Sequence, residues 1–141
     1  MNTTSDLQRF WEAQEDVIID VYAELAQGKK QSHWMWFVFP QLTALGRSIT
    51  ARKYGIESLD EAKAYLNHPT LRERLLKCTR LMLRNFNKPI GEILGSPDDL
   101  KFQSCMTLFR EAEPDTPEFQ KALDTFYSGM PDERTLVLLN C

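Results

Sequence analysis

The residues best suited to chemistry lie in a stretch that begins at Asp98. At 100° per residue, Asp98 falls on the same helical face as Cys105 and Phe109, so its carboxylate points toward apolar side chains. A carboxylate in that position needs a partner or a pocket. Lys101 lies one turn later, and Ser104 follows on the same flank. This pattern predicts either a polar pocket, in which Asp98 transfers a proton, or a structural ion pair.

A second group of candidates surrounds His33, which precedes two of the three tryptophans, Trp34 and Trp36. An imidazole exchanges protons near neutral pH, and an indole offers a flat face on which a planar or sugar-like group can stack. The segment therefore predicts one wall of a ligand site, with His33 as a second proton-transfer candidate. The alternative is that His33 is a core residue whose hydrogen bonds are all made within the protein. His68, which precedes Pro69, is interpreted as a residue at a helix end.

The sequence lacks the motifs of most other kinds of catalytic or cofactor site. No Gly-x-Ser-x-Gly elbow and no phosphate-binding glycine loop is present. Cys78 and Cys105 fall on apolar faces and are predicted to be inert core thiols. With only two histidines, 35 positions apart, we predict no metal site, and we expect no cofactor. Gln14 lies in the middle of an apolar helical stripe, so it must hydrogen-bond either a helix kink or a ligand.

The composition indicates one globular domain spanning residues 1–141, with an ordered core at about 5–139. The 141 residues are 43% hydrophobic and 11% aromatic, which is enough for a core without disulfides. A net charge of −3 argues against nucleic acid as the partner. The longest apolar run has six residues, and no secretory signal precedes it, so we expect no membrane contact and a cytoplasmic location.

Helical periods between recurring turn signals predict an all-α, single compact multi-helix domain with seven or eight helices. The expected helix starts and stops are listed here: Ser5, Gly28, Ser48, Gly55, Ser58, Pro69, Gly95, Ser96, Thr116, Gly129 and Asp132. Glu15 and Asp16 predict a kink that divides the first helix. The run 34–39 is compatible with a strand or a helix, and the lack of partner strands favours a helical turn capped by Ser32.

Charge is segregated along the chain. Residues 71–88 hold six basic residues and one acidic residue, whereas residues 111–133 hold seven acidic residues and one basic residue. These two segments either face each other or solvent, or the basic face binds an anionic partner. A non-catalytic protein-interaction module that uses the basic face of the 69–88 helix is therefore the alternative function.

Two motifs carry a resemblance to a known family. They are Ser32–Gln41, SHWMWFVFPQ, and Gly95–Phe109, GSPDDLKFQSCMTLF. With FWEAQ at 10–14, LGRS at 45–48, YLNHP at 65–69 and the closing Thr135-Leu136, the chain resembles the domain of unknown function 1810 from Leu7 to Leu139. The resemblance implies a soluble, largely helical, mostly bacterial single domain without a named activity. Some relatives carry the label calpastatin, which does not suit a compact apolar chain.

The resemblance also selects polar positions within the apolar motifs. On this chain they are Gln14, His33, Gln41, Ser48, Asp98, Lys101, Ser104 and Thr107. Cys105 stands where relatives often have a second serine. We hypothesise one cleft between the 32–41 segment and the first half of the 98–109 helix. There Trp34 or Trp36 would stack on a polar or nucleotide-like small molecule, and Lys101 would favour an anionic group. Whether the protein is an enzyme stays open.

Overall fold

The computed structural model describes residues 7–140, so the predicted cap at Ser5 lies outside the described part. Within it the chain forms ten α-helices and no strand, which confirms the all-α prediction; the predicted count of seven or eight was too low. The helices are α1 (Gln8–Glu15), α2 (Ile18–Gln27), α3 (Met35–Val38), α4 (Ile49–Lys53), α5 (Leu59–Asn67), α6 (Pro69–Arg84), α7 (Ile90–Leu94), α8 (Asp98–Ala112), α9 (Pro117–Tyr127) and α10 (Glu133–Leu138), with a 3-10 turn at Thr43–Leu45. None of them has the length and apolar character needed to cross a membrane.

The predicted break near Asp16 is confirmed, because α1 ends at Glu15 and α2 begins at Ile18. Gly28 ends α2 with a φ of 75°, a backbone conformation that favours glycine. A Cβ at Gly28 would lie 2.5 Å from Oδ1 of Asn85. This close approach lets the Asn85 amide donate a hydrogen bond to the carbonyl of Leu25 at 2.8 Å, which ties the end of α6 to α2.

The ambiguous run 34–39 forms the short helix α3, so the predicted helical turn is confirmed. The predicted cap by Ser32 was wrong. Trp34 occupies the cap position, and its side chain accepts no hydrogen bond from the first turn. The Ser32 hydroxyl instead donates to the carboxylate of Glu24. Five residues of this run and its neighbour Pro40 are buried, and Trp36 is only partly buried.

Most predicted helix starts are confirmed by the side chains that accept a hydrogen bond from the first turn. Ser48, Ser58 and Asp132 do so at α4, α5 and α10. Helix α6 begins at Pro69 as predicted, and His68, the predicted helix-end residue, caps it in the same way. Ser96 does not cap α8, and that prediction was wrong. The amide of residue 99 donates to the carbonyl of residue 95, and the amides of residues 100 and 101 donate to that of residue 97. Backbone carbonyls thus accept the hydrogen bonds of the first-turn amides that the Ser96 side chain was expected to cap.

Helix α8 is the centre of the core and packs against α5, α7, α9 and α10. Its inward residues Phe102, Cys105, Met106 and Phe109 are fully buried, as the apolar pattern predicts. Helix α6 packs against α2, α5 and α9 on another side of the core. This arrangement leaves the first turn of α8 at the surface beside the segment that connects α3 to α4.

The basic helix and the acidic segment face each other in part. The guanidinium of Arg72 lies 2.7 Å from the carboxylate of Glu113, and that of Arg80 lies 2.7 Å from Glu118. These ion pairs confirm one of the alternatives for the segregated charge. They also neutralise part of the basic face of α6.

Candidate functional site

A cleft of about 420 Å³ lies between the segment 41–51, the first turn of α8 and the start of α10. Its lining residues are Gln41, Leu45, Gly46, Arg47, Ser48, Ala51, Pro97, Leu100, Lys101 and Arg134. We call this feature the cationic cleft. Three predicted site residues, Gln41, Ser48 and Lys101, meet in it although they come from distant parts of the sequence. Of the first motif, only its last residue, Gln41, lines the cleft. The cleft therefore lies further along the chain than the 32–41 segment that we expected to form it.

Three of the lining residues are cations, Arg47, Lys101 and Arg134, and none of the lining residues is acidic. Within residues 7–140 the side chain of Arg47 has no hydrogen-bond or ion-pair partner. Lys101 is 26% exposed, and its ammonium group lies 3.8 Å from a carboxylate oxygen of Asp98. Nε of Arg134 lies 3.7 Å from a carboxylate oxygen of Asp132. Three cations around a lining without acidic residues create a positive potential, which attracts anions.

The connector that carries Arg47 is held in place by two local contacts. Oγ of Ser48 accepts a hydrogen bond from the amide of Ala51 at 3.0 Å and thereby starts α4. The carbonyl of Gly46 accepts one from Nε of Arg52 at 3.3 Å. Because the Ser48 hydroxyl only accepts in its cap, its hydrogen is left to donate to a ligand.

Arg134 reaches the cleft because a buried polar network fixes the start of α10. One carboxylate oxygen of Asp132 accepts hydrogen bonds from Oγ of Ser104 at 3.0 Å and from Oγ1 of Thr135 at 2.6 Å. The amide of Asp132 donates to Oγ1 of Thr107 at 2.8 Å. Ser104 and Thr107 are both buried and do not line the cleft. Their contacts therefore join α10 to α8.

Asp98 lies beside the cleft and forms ion pairs rather than lining it. One carboxylate oxygen is 3.1 Å from the ammonium group of Lys30, and the other is 3.8 Å from that of Lys101. This geometry confirms the ion-pair interpretation. Proton transfer by Asp98 stays a prediction.

The two tryptophans of the first motif have different roles. Trp34 is 1% exposed and its indole N–H donates to Glu24 at 2.9 Å, so its faces are closed to a ligand. Trp36 is partly exposed, and its ring centroid lies 6.5 Å from that of His33 and 5.9 Å from the ammonium group of Lys101. The first motif and the start of α8 therefore meet at Trp36 and Lys101. His33 is exposed, and its predicted catalytic role is not tested by these contacts.

Glu24 organises this segment, and the sequence analysis missed it. Its carboxylate accepts hydrogen bonds from the amides of Gln31 at 2.7 Å and Ser32 at 3.1 Å, besides the Ser32 hydroxyl and the indole of Trp34. Burial raises the pKa of Glu24, but these hydrogen bonds outweigh burial and lower the pKa to about 2. An acid on a helix surface gives no sequence signal for such a role.

Gln14 is buried at 1% exposure and its hydrogen bonds go to other parts of the protein. Its amide donates to the carbonyl of Phe37 at 2.7 Å and to the hydroxyl of Tyr65 at 3.1 Å, and it accepts from Arg74 at 3.3 Å. These three contacts join α1 to α3, α5 and α6. They account for the polar residue in the apolar stripe, and they place it away from the cationic cleft.

The buried thiols match their prediction as inert core residues. Burial raises the pKa of Cys78 to about 12 and that of Cys105 well above its ordinary value, so neither forms a thiolate near neutral pH. In the described part of the chain, no three His, Cys, Asp or Glu side chains lie close enough together to hold a metal ion.

Fold and cleft together define a small all-α domain with a cationic surface cleft. Residues 4–139 match the family described as a protein of unknown function (DUF1810), so the chain belongs to this family, as the two motifs predicted. The chain is also similar to a conserved hypothetical protein from Mycobacterium tuberculosis, Rv1873, whose crystal structure has been solved. The two are 49% identical and superimpose with a TM-score of 0.94 over 96% of this chain and 97% of that one. No curated protein matches this chain.

Proposed function

We propose that the protein binds a small anionic ligand in the cationic cleft. The observation that carries this proposal is the convergence of Arg47, Lys101 and Arg134 on one cleft whose lining contains no acidic residue. The volume of about 420 Å³ lies within the range of small-molecule sites in proteins.

The chemistry of the cleft suits a phosphate or carboxylate group. Arginine presents a planar fork of N–H donors that matches such oxyanions, and lysine adds a compact charge. Ser48 supplies a hydroxyl hydrogen that its helix cap does not use. The cleft thus offers the anion both charge and hydrogen bonds.

The buried polar residues of the second motif support this role from outside the cleft. Ser104 and Thr107 hold the start of α10, and α10 carries Arg134. We therefore assign these two residues to positioning the cleft rather than to contact with the ligand. The proposal concerns binding, and catalysis by His33 or Asp98 is a separate prediction.

Titration calorimetry with inorganic phosphate at low and high salt tests the proposal. The wild type should bind phosphate, and binding should weaken as salt rises because the attraction is electrostatic. Arg47→Gln and Arg134→Gln should each lower the affinity by about tenfold, the equivalent of one charge-assisted hydrogen bond. Arg84→Gln is the matched control, because it removes an exposed arginine that does not line the cleft.

Two outcomes would contradict the proposal. One is the absence of phosphate binding even at low salt. The other is an equal loss of affinity in Arg84→Gln and Arg47→Gln, which would show a general effect of net charge.

A second candidate function is an interaction with a protein partner through α6. A surface depression of about 500 Å³ runs along this helix, and its lining residues are Pro69, Arg72, Glu73, Leu76, Lys77, Arg80, Leu81 and Arg84. Because Arg72 and Arg80 already pair with acids of the same chain, the charge left for a partner is smaller than the sequence indicates. Charge reversal at Lys77 and Arg84 should abolish capture of a partner; an unchanged set of captured proteins would contradict this function.

A further inference from the structure

The cationic cleft has a second chemical character besides its charge. Leu45, Ala51, Pro97 and Leu100 form an apolar part of its lining. Leu100 is 52% exposed, although α8 has a fully buried face available for apolar residues. An exposed leucine in the wall of a cleft is surface that a ligand can cover.

Exposed aliphatic residues also flank the polar groups of the cleft. Ile49 follows Ser48 and is 90% exposed. Val137 is 69% exposed and lies three residues after Arg134, which places both on the same side of α10. Neither residue is part of the lining, so the apolar surface of the cleft itself is that of Leu45, Ala51, Pro97 and Leu100.

A bare inorganic anion uses only part of this site. Phosphate would contact the guanidinium and ammonium groups of the cleft and leave its aliphatic side chains exposed to water. A ligand that also covers apolar surface gains affinity in proportion to the area removed from water. Covering one side chain such as Leu100 corresponds to about a tenfold gain in affinity.

The side chain of Gln41 indicates which chemical group accompanies the anion in the ligand. It is half-buried in the cleft wall, and within residues 7–140 its side-chain amide has no partner. An amide presents a donor and an acceptor side by side, which suits the hydrogen-bonding edge of a heterocycle. A plain alkyl chain would leave both groups without a partner.

We propose that the ligand of the cationic cleft is a phosphomonoester with a flat heterocyclic body, the chemistry of a nucleoside monophosphate. In this arrangement Arg47, Lys101 and Arg134 hold the phosphate, Leu100 covers one side of the heterocycle, and Gln41 pairs with its edge. This inference rests on the proposed anion binding and adds the class of ligand to it.

Calorimetric titration of the full chain with four probes tests the inference. The probes are inorganic phosphate, AMP, UMP and octyl phosphate. At least one nucleotide should bind about tenfold more tightly than inorganic phosphate. Leu100→Ser should weaken nucleotide binding more than phosphate binding and so remove most of this difference. Ile19→Ser, which alters an exposed isoleucine on α2 that does not line the cleft, should change neither affinity.

Gln41→Leu separates a heterocycle from an alkyl chain. It should weaken nucleotide binding about tenfold relative to octyl phosphate binding, since only the heterocycle uses the amide. Thermal melting of each variant verifies that it is folded before titration.

The failure of this inference is distinguishable from the failure of anion binding. If inorganic phosphate binds as tightly as both nucleotides, or if octyl phosphate binds more tightly than either, the cleft binds anions but the heterocycle is wrong. If none of the four probes binds, the proposed function itself is overturned.

Discussion

Replacement of Asp98 by asparagine tests how Lys101 serves the cationic cleft. A carboxylate oxygen of Asp98 lies 3.8 Å from the ammonium group of Lys101, and the other oxygen lies 3.1 Å from that of Lys30. Two unit charges about 4 Å apart in a water-like medium attract by about 1 kcal/mol. An anion in the cleft competes with Asp98 for Lys101 and must overcome this attraction. Asp98→Asn should therefore raise phosphate affinity by about fivefold.

The assay is calorimetric titration of the wild type and Asp98→Asn with inorganic phosphate at low salt. Asp115→Asn is the matched control, because it removes an exposed acid in the connector between α8 and α9. High salt should shrink the gain of Asp98→Asn, since screening weakens the competing attraction. Weaker phosphate binding by Asp98→Asn than by the wild type would refute this reasoning, because it would show that the carboxylate itself contacts the ligand, as proton transfer by Asp98 requires.

Three further predictions concern polar side chains that hydrogen-bond within the fold. Because the pKa of Glu24 is lowered to about 2, its contribution to stability is complete above pH of about 4.5 and is lost as pH falls toward 2. Urea unfolding should show Glu24→Gln less stable than the wild type by about 1–2 kcal/mol at neutral pH, a figure reduced for partial exposure, with the difference vanishing near pH 2; a difference that does not change with pH would contradict it. Ser104→Ala removes a donor to Asp132, so unfolding should show a loss of about 1 kcal/mol and titration a weaker phosphate affinity; unchanged affinity would contradict the positioning of α10. Gln14→Leu removes the donor to the buried carbonyl of Phe37, whereas Arg74 keeps its ion pair with Glu15, so stability should fall by about 1–3 kcal/mol while phosphate affinity stays the same; a loss of affinity would contradict the position of Gln14 away from the cleft.

The fold was largely predictable because its signals are local. The cap at Ser58, the proline at the start of α6 and the glycine at the end of α2 each act within one helical turn. The serine expected to start α8 was misread because the same turn can be satisfied by backbone carbonyls, as at Gly95. The helix count was too low because short helices such as α3 lack the length over which periodicity accumulates.

The candidate site was only partly predictable because it is assembled from tertiary contacts. Asp98 stood out as an acid on an apolar face, but its pairing with Lys30 joins residues 68 positions apart. Arg47 lies within the LGRS motif, but only its neighbour Ser48 was predicted as a site residue. In a sequence, an arginine that lines a cleft has no feature that distinguishes it from other solvent-exposed charges. Arg134 reaches the cleft only through the buried contacts of Asp132, which no local pattern indicates.

The most direct test of anion binding in the cationic cleft is an amide-resolved NMR titration of the full chain with inorganic phosphate. The account predicts that the largest shifts occur at Arg47, Ser48, Lys101 and Arg134, with α6 unaffected. Shifts centred on the basic face of α6, or no shifts at low salt, would contradict it.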